Sequence, residues 1–297
     1  MIKILSFSLI CFLSATPLLA SKNKTEIFAE LYHNPQEKQS LIKRLQSQHV
    51  IIVPGLFDSF AKPFYSWRGD YKEYKDFFER HAISYEILHT YSQREVEENH
   101  QILLDAIKKA PEQKSIFILA HSFGGLISLS TLLKHKEVYP RIAAIMTMQT
   151  PYYGSLIADY FYHGKLAYAL ACSTFALTGG SVKGFVQFHR DLRVRWLEEN
   201  KAELIELTKK IPLLQIATIS DYLQFPFVFH HFSNEDSDGL LETSTQYFTF
   251  GSSSYAILKG WTHEDTIKGN NGREHLKREH LLLAALNILF DRKREER

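Results

Sequence analysis

Short apolar runs alternate with stretches of helical spacing along much of the chain. The runs are rich in β-branched and aromatic residues, and most end at glycine, proline or a polar residue, which is typical of buried strands. They span residues 49–53, 84–89, 116–121, 142–148, 213–219 and 255–258. Because helical patterns separate successive strands, the chain is predicted to be an α/β protein with a mostly parallel sheet and helices on both faces.

The predicted helices fill the intervals between these strands. They cover residues 35–48, 70–80, 92–110, the stretch directly after 122, residues 191–210 and residues 274–290, and a polar, helix-prone arm precedes the first of them. No internal repeat or low-complexity linker divides the chain. We therefore predict one domain over residues 21–297.

Residues 159–188 interrupt the alternation of strands and helices. The stretch 166–178 is apolar and carries no charge, and aromatic residues crowd both of its sides. It is too short to span a bilayer, and as a helix it has no polar face. We interpret it as an inserted cap that gives an acyl-binding surface and a possible contact with a lipid interface. A buried excursion of the core is the alternative.

The first twenty residues form a separate segment. Lys3 gives a positive start, residues 4–13 are apolar, and Ala20 is small, so a cleaved secretory signal peptide over residues 1–20 is predicted, with an uncleaved anchor as the alternative. This indicates a secreted or periplasmic protein. Of the two cysteines, Cys11 would leave with the signal, so the mature chain cannot form an internal disulfide. The formal charge of +2 gives no indication of a nucleic-acid partner.

Candidate chemistry centres on Ser122, where an apolar strand meets a helix. A strand–serine–helix turn with small residues two positions before and after the serine, here Ala120 and Gly124, is the pattern that exposes a strained, nucleophilic serine. A plain helix N-cap serine is the alternative. His121, beside Ser122, is expected to pack or to orient other groups.

A serine hydroxyl needs a base, and the base needs an acid that fixes its tautomer. In serine hydrolases with this kind of turn, the serine, the acid and the histidine follow one another in that order along the chain. His263 is the favoured base because it lies in a loop directly after a strand, whereas His275 and His280 lie on the last predicted helix. Asp238 in an Asp-Gly turn is the favoured acid. Asp221, which closely follows a strand, and Asp236 are the alternatives.

The remaining candidates contact the substrate. The turn Pro54-Gly55-Leu56 follows the first predicted strand, and the backbone N–H of Leu56 is predicted to be one donor to the oxyanion. Phe57 is the neighbouring alternative for this donor and is also a predicted substrate contact. The backbone N–H of Phe123 is the second predicted donor. Tyr152 and Tyr153 follow another strand and are predicted substrate contacts.

Four stretches together resemble the secreted bacterial triacylglycerol lipases of the α/β-hydrolase superfamily. They are Pro54-Gly55-Leu56, the motif from Ala120 to Gly125, the stretch 150–155, and Asp238-Gly239-Leu240 together with Trp261-Thr262-His263. The resemblance covers residues 50–288 and implies the α/β-hydrolase fold with Ser122, Asp238 and His263 as the triad. The family usually has His-Gly where this chain has Pro54-Gly55.

These observations predict a serine carboxylic-ester hydrolase that acts on lipid acyl esters. Thioesterase, phospholipase and acyltransferase activities use the same residues and stay open, as does a non-catalytic relative that binds a hydrophobic ligand or membrane. No cofactor is expected. In some members of the resembled family an acidic residue two positions after the histidine binds structural calcium, and Asp265 has that spacing.

Overall fold

The computed structural model describes residues 20–55, 71–91, 95–163, 186–221, 235–268 and 275–290. Its strands are β1 (Lys22–Asn23), β2 (Gln48–Val53), β3 (Ser84–Ile87), β4 (Ser115–His121), β5 (Ile142–Met148), β6 (Leu213–Ile219) and β7 (Ser254–Lys259). Its α-helices are α1 (Thr25–His33), α2 (Gln39–Gln46), α3 (Lys72–Arg80), α4 (Val96–Lys109), α5 (Phe123–Lys134), α6 (Leu156–His163), α7 (Arg190–Glu199), α8 (Lys201–Lys210) and α9 (Arg278–Phe290).

The seven strands form one sheet in the order β1-β7-β6-β5-β4-β2-β3, and every pairing is parallel. Parallel strands need crossover connections, which the helices supply. The predicted parallel sheet with helices on both faces is therefore confirmed.

Alternate residues along the strands face two separate cores. In β4, Phe117 and Leu119 belong to the core that includes residues of α1, α2, α3 and α9. Ile116 and Ile118 belong to the opposite core, with residues of α4, α5, α7 and α8. Burial on both faces explains why these strands are continuous apolar runs rather than alternating patterns.

The N-terminal arm and several of the predicted helices differ from the sequence prediction. The polar arm contains α1, whose buried Phe28 and Leu31 pack into the first core, and it also adds β1 to the sheet edge. The first predicted helix begins at Gln39 rather than at Pro35. The helix predicted over residues 191–210 is two helices, because Asn200 ends α7 and precedes α8.

The two ends of the predicted cap lie side by side. His163 ends α6 and His189 precedes α7, and their Nε2 atoms are 3.0 Å apart. The backbone N–H of Arg190 donates to Asp159 Oδ1 at 3.0 Å. The two ends that flank residues 164–185 are therefore in direct contact. Residues 164–185 of the cap, like the predicted signal segment 1–19, lie outside the described residues.

Within the described residues, none of the helices is both long and apolar enough to cross a membrane.

Gly124 is the point where α5 presses against the sheet. A Cβ atom at this position would lie 2.0 Å from the carbonyl oxygen of Val53 and 2.7 Å from that of Pro54. The small residue required two positions after Ser122 is therefore needed because of the end of β2, the strand beside β4 in the sheet.

We predict that Gly124→Ala lowers the free energy of unfolding by about 3 kcal/mol or more, because neither carbonyl can move without breaking the sheet. In an unobstructed helix the same change would stabilise by up to about 1 kcal/mol. Urea denaturation measures the difference. Lys134→Ala, on an exposed turn of α5, is the control and should stay within about 0.5 kcal/mol of the parent. A stable Gly124→Ala protein would contradict the packing described here.

Candidate active site

Ser122 lies on the sharp turn between β4 and α5 with φ 52° and ψ −120°. A positive φ is unfavourable for any residue with a Cβ, so the surrounding contacts must hold it. The Ser122 N–H donates to Met148 O at 2.8 Å, and its carbonyl accepts the N–H of Gly125 at 3.0 Å. These bonds fix the backbone so that the hydroxyl points away from both elements.

The structure brings Ser122, His263 and Asp238 together in a line of hydrogen bonds. The Ser122 hydroxyl donates to His263 Nε2 at 3.0 Å, and His263 Nδ1 donates to Asp238 Oδ2 at 2.7 Å. All three side chains are buried. This is the geometry in which an imidazole can accept the proton of a serine hydroxyl.

Asp238 is held in place by the turn that follows it. Its Oδ1 accepts the backbone N–H groups of Leu240 at 2.9 Å and Leu241 at 2.7 Å, which leaves Oδ2 for His263. The Asp238 carbonyl also accepts the His263 N–H at 3.0 Å. The two loops are thus joined by both backbone and side chain. The sequence alternatives Asp221 and Asp236 are exposed to solvent.

His121 contacts the histidine loop from the other side of the turn. Its Nε2 is 2.9 Å from the carbonyl oxygen of His263 and 3.2 Å from Gln149 Oε1, and both are acceptors, so Nε2 carries the proton. Its Nδ1 finds no hydrogen-bond partner within the described ranges. Burial, reinforced by the neighbouring His263, lowers the pKa of His121 to about 3. The neutral ring therefore orients the loop, as expected from the sequence.

Gln149 is a buried contact point that the sequence analysis missed. It follows β5 with φ 52° and is fully buried. Its Nε2 donates to Thr218 Oγ1 at 2.6 Å and to Thr262 O at 2.8 Å, while Oε1 accepts Thr266 Oγ1 at 2.6 Å. One carboxamide therefore joins the ends of β5 and β6 to the histidine loop.

Comparisons with known proteins agree on the fold. The family described as PGAP1-like alpha/beta domain matches residues 44–170, which include Ser122 but neither Asp238 nor His263. The metagenomic carboxyl esterase MGS0156 has 16% identity and a TM-score of 0.66, over 83% of this chain and 76% of that chain. The chain therefore has the α/β-hydrolase fold.

Two further solved structures share this α/β-hydrolase architecture. Mature lipase BlEst2 of Bacillus licheniformis has 14% identity and a TM-score of 0.59, over 82% of this chain and 92% of that chain. Phospholipase PlaB of Legionella pneumophila has 12% identity and a TM-score of 0.57, over 84% of this chain and 65% of that chain. At such identities the likeness concerns the fold. No curated protein sequence matches the chain.

The other predicted site residues lie in three kinds of position: at the start of α5, outside the described residues, and in the core. Phe123 is the first residue of α5, where backbone N–H groups have no partner within the helix. Leu56 and Phe57 lie outside the described residues. Gly55 is described, and a Cβ there would lie 2.9 Å from His121 Nδ1 and 3.0 Å from Ser122 Cβ. Only glycine fits this close approach.

Tyr152 does not have the position predicted for a substrate contact. Its side chain is fully buried, its hydroxyl donates to Thr147 Oγ1 at 2.8 Å, and its ring packs edge-on against Phe248. The prediction for Tyr152 was wrong, because the ring fills the core beneath the end of β5. Tyr153 is half-buried, and its substrate contact stays a prediction.

We predict that His121 makes the stability of the protein sensitive to acid. Its pKa of about 3 lies below the value of about 6.5 in the unfolded chain. The unfolded chain thus binds more protons between these values, and the free energy of unfolding falls as the pH drops below about 6.5, by about 1.4 kcal/mol per pH unit.

The measurement is urea denaturation between pH 7 and pH 5. His121→Gln keeps an N–H donor near the position of Nε2 but has no titrating group, so its stability should depend less on pH than that of the parent. An equal pH dependence in both proteins would refute this role. His100, whose pKa burial lowers to about 4, is present in both proteins and cancels in the comparison.

Proposed function

We propose that this protein is a serine carboxylic-ester hydrolase that cleaves lipid acyl esters. The observation that carries the proposal is the buried hydrogen-bond line from Ser122 through His263 to Asp238, with Ser122 held at a positive φ. A positive φ at a residue with a Cβ costs on the order of 1–3 kcal/mol, and such strain is concentrated at functional sites. The arrangement has a clear use in nucleophilic catalysis.

In the proposed reaction Ser122 Oγ attacks the ester carbonyl carbon while His263 Nε2 takes the hydroxyl proton. The carbonyl oxygen becomes an oxyanion, for which we propose the backbone N–H groups of Phe123 and Leu56 as donors. Collapse of this intermediate breaks the bond to the alcohol, which leaves with the proton held by His263. Ser122 is then acylated.

Water completes the cycle by the same steps. His263 takes a proton from water, the resulting hydroxide attacks the acyl carbonyl, and Ser122 regains its proton as the carboxylic acid leaves. Asp238 keeps the Nδ1–H tautomer of His263 and stabilises the imidazolium that forms twice in each cycle. The two N–H groups on Asp238 Oδ1 hold the carboxylate in that orientation.

Lipid substrates are supported by the surface around the insertion. Four large hydrophobic side chains are exposed in the described residues, and three of them, Tyr162, Leu192 and Val194, lie on α6 and α7, which flank residues 164–185. Exposed apolar side chains on the two helices that flank the insertion suit an acyl chain or a lipid interface. The structural relatives named above include a carboxyl esterase, a lipase and a phospholipase.

We predict that the purified protein hydrolyses p-nitrophenyl esters. Ser122→Ala should lower kcat by a factor on the order of 10⁶, by analogy with other serine hydrolases. The measurement is turnover across esters of increasing acyl length. Ser130→Ala, which removes a buried hydroxyl from α5, is the matched control and should retain parental turnover.

A fluorophosphonate probe tests the nucleophile directly. Mass spectrometry should locate the adduct on Ser122 in the parent and in Ser130→Ala, with no adduct in Ser122→Ala. Equal turnover by Ser122→Ala and the parent would refute the nucleophile. Labelling without hydrolysis of oxygen esters, but with hydrolysis of thioesters, would move the substrate class to thioesters.

We predict that Asp238→Asn lowers kcat by a factor on the order of 10⁴, because the neutral amide favours the wrong tautomer of His263. Asp221→Asn, a change at an exposed side chain, is the control and should leave kcat within about twofold of the parent. Steady-state kinetics on one short-chain ester measure both. The opposite ranking would make Asp221 the acid.

A further inference from the structure

Arg278 is a charged side chain buried in the protein. It is 1% exposed although it is the first residue of α9, where the helix dipole disfavours a positive charge. Burying a guanidinium is costly unless it is paired and hydrogen-bonded. Its position therefore calls for an explanation that helix formation does not give.

The partners of Arg278 are oxygen atoms from separate parts of the chain. Its Nε donates to Asp265 O at 2.6 Å, and Nη1 donates to Glu73 Oε1 at 3.1 Å and to the carbonyl of Leu276. Its Nη2 lies 4.0 Å from Asp265 Oδ1. The Arg278 backbone N–H also donates to Glu73 Oε2 at 2.8 Å, which offsets the unfavourable helix end.

Asp265 belongs to the loop that carries His263. Its Oδ2 accepts the N–H of Thr262 at 2.7 Å, and its own N–H donates to Thr262 O at 3.1 Å. Asp265 therefore closes a tight turn around His263. Arg278 holds this turn from outside through the Asp265 carbonyl and is itself anchored on α3 through Glu73.

This set of oxygen atoms does not fit a calcium ion. The carbonyls of Asp265 and Leu276 and the carboxylates of Glu73 and Asp265 are oxygen ligands of the kind that calcium selects. However, the Arg278 guanidinium already donates to the two carbonyls and to Glu73, and it faces the Asp265 carboxylate. A divalent cation at Asp265 would lie close to a buried positive charge and be repelled. In the part of the chain that is described, no group of three or more His, Cys, Asp or Glu residues is arranged to hold a metal.

We propose that Arg278 positions His263 and acts as the built-in cation of the histidine loop, in the place where the lipase resemblance suggested calcium. The guanidinium locks the Thr262–Asp265 turn, and the turn sets the imidazole at its distance from Ser122. The effect on catalysis rests on the function proposed above, whereas the effects on loop order and calcium response do not.

The first test measures the response to calcium. Melting temperature and ester hydrolysis of the full chain should be the same in millimolar EDTA and in millimolar calcium chloride. A calcium-dependent rise in melting temperature that Asp265→Asn abolishes would overturn the proposal. This test needs only the parent to be folded.

The second test compares Arg278→Met with Arg80→Met. Both remove an arginine that pairs with a carboxylate on a neighbouring helix. Arg80 is half-exposed and pairs with Glu279, whereas Arg278 is buried and also donates to Asp265 of the histidine loop. Arg278→Met should raise amide hydrogen exchange in residues 260–268 by about tenfold. It should also lower kcat by about 10- to 100-fold with little change in KM, since misplacement by about 1 Å costs that much. Arg80→Met should change neither.

Arg278→Lys separates positioning from folding. Lysine keeps the charge, but its three N–H groups are on one nitrogen and cannot span Asp265 and Glu73 as the planar guanidinium does. The loop exchange and kcat of Arg278→Lys should therefore fall between those of the parent and of Arg278→Met. Parental exchange in the loop of either folded variant would overturn the proposal. Raised exchange without any measurable hydrolysis in the parent would refute the proposed function and leave the positioning of the loop intact.

Discussion

The hydrogen bond from Ser122 to His263 sets the demand that the rest of the structure meets. It joins residues 141 positions apart at 3.0 Å, and neither lies within a regular helix or strand. Proton transfer tolerates little error in that distance. The parallel sheet brings the carboxyl ends of β4 and β7 to the same end of the sheet. The distance between Ser122 and His263 then depends on how the serine turn and the histidine loop are held.

Each segment is held by a different kind of constraint. Ser122 is fixed by backbone packing, since Gly124 and Gly55 approach their neighbours too closely for any larger residue. The histidine loop is fixed by buried polar side chains: Gln149 and His121 contact it from the sheet, and Arg278 from α9. Buried polar groups add little net stability, but they allow few alternative arrangements. These contacts therefore restrict the conformation of the histidine loop more than they stabilise the fold.

The sequence predicted the elements that depend on local pattern. The bounds of β5 and β6 follow directly from apolar runs, and the residues of the Ser122, His263 and Asp238 line follow from chain order and turn chemistry. Gln149 and Arg278 were missed because a single polar residue near an apolar run has no periodic signal. The prediction for Tyr152 was wrong because the end of a nearby strand fixes the position of the backbone but does not determine the direction of the side chain.

The returning end of the insertion is coupled to the proposed oxyanion site. Phe188 packs edge-on against Phe123 with ring centroids 5.5 Å apart, and its carbonyl accepts the N–H of Ser155 at 2.8 Å. Phe123 follows Ser122, so the ring that meets the insertion and the N–H proposed to bind the oxyanion belong to one residue. A change of packing at Phe188 would therefore act on the oxyanion donor without passing through His263 or Asp238. The packing at Phe188 and the hydrogen bonds of His263 and Asp238 can thus vary independently, which suits a fold on which many functions are built.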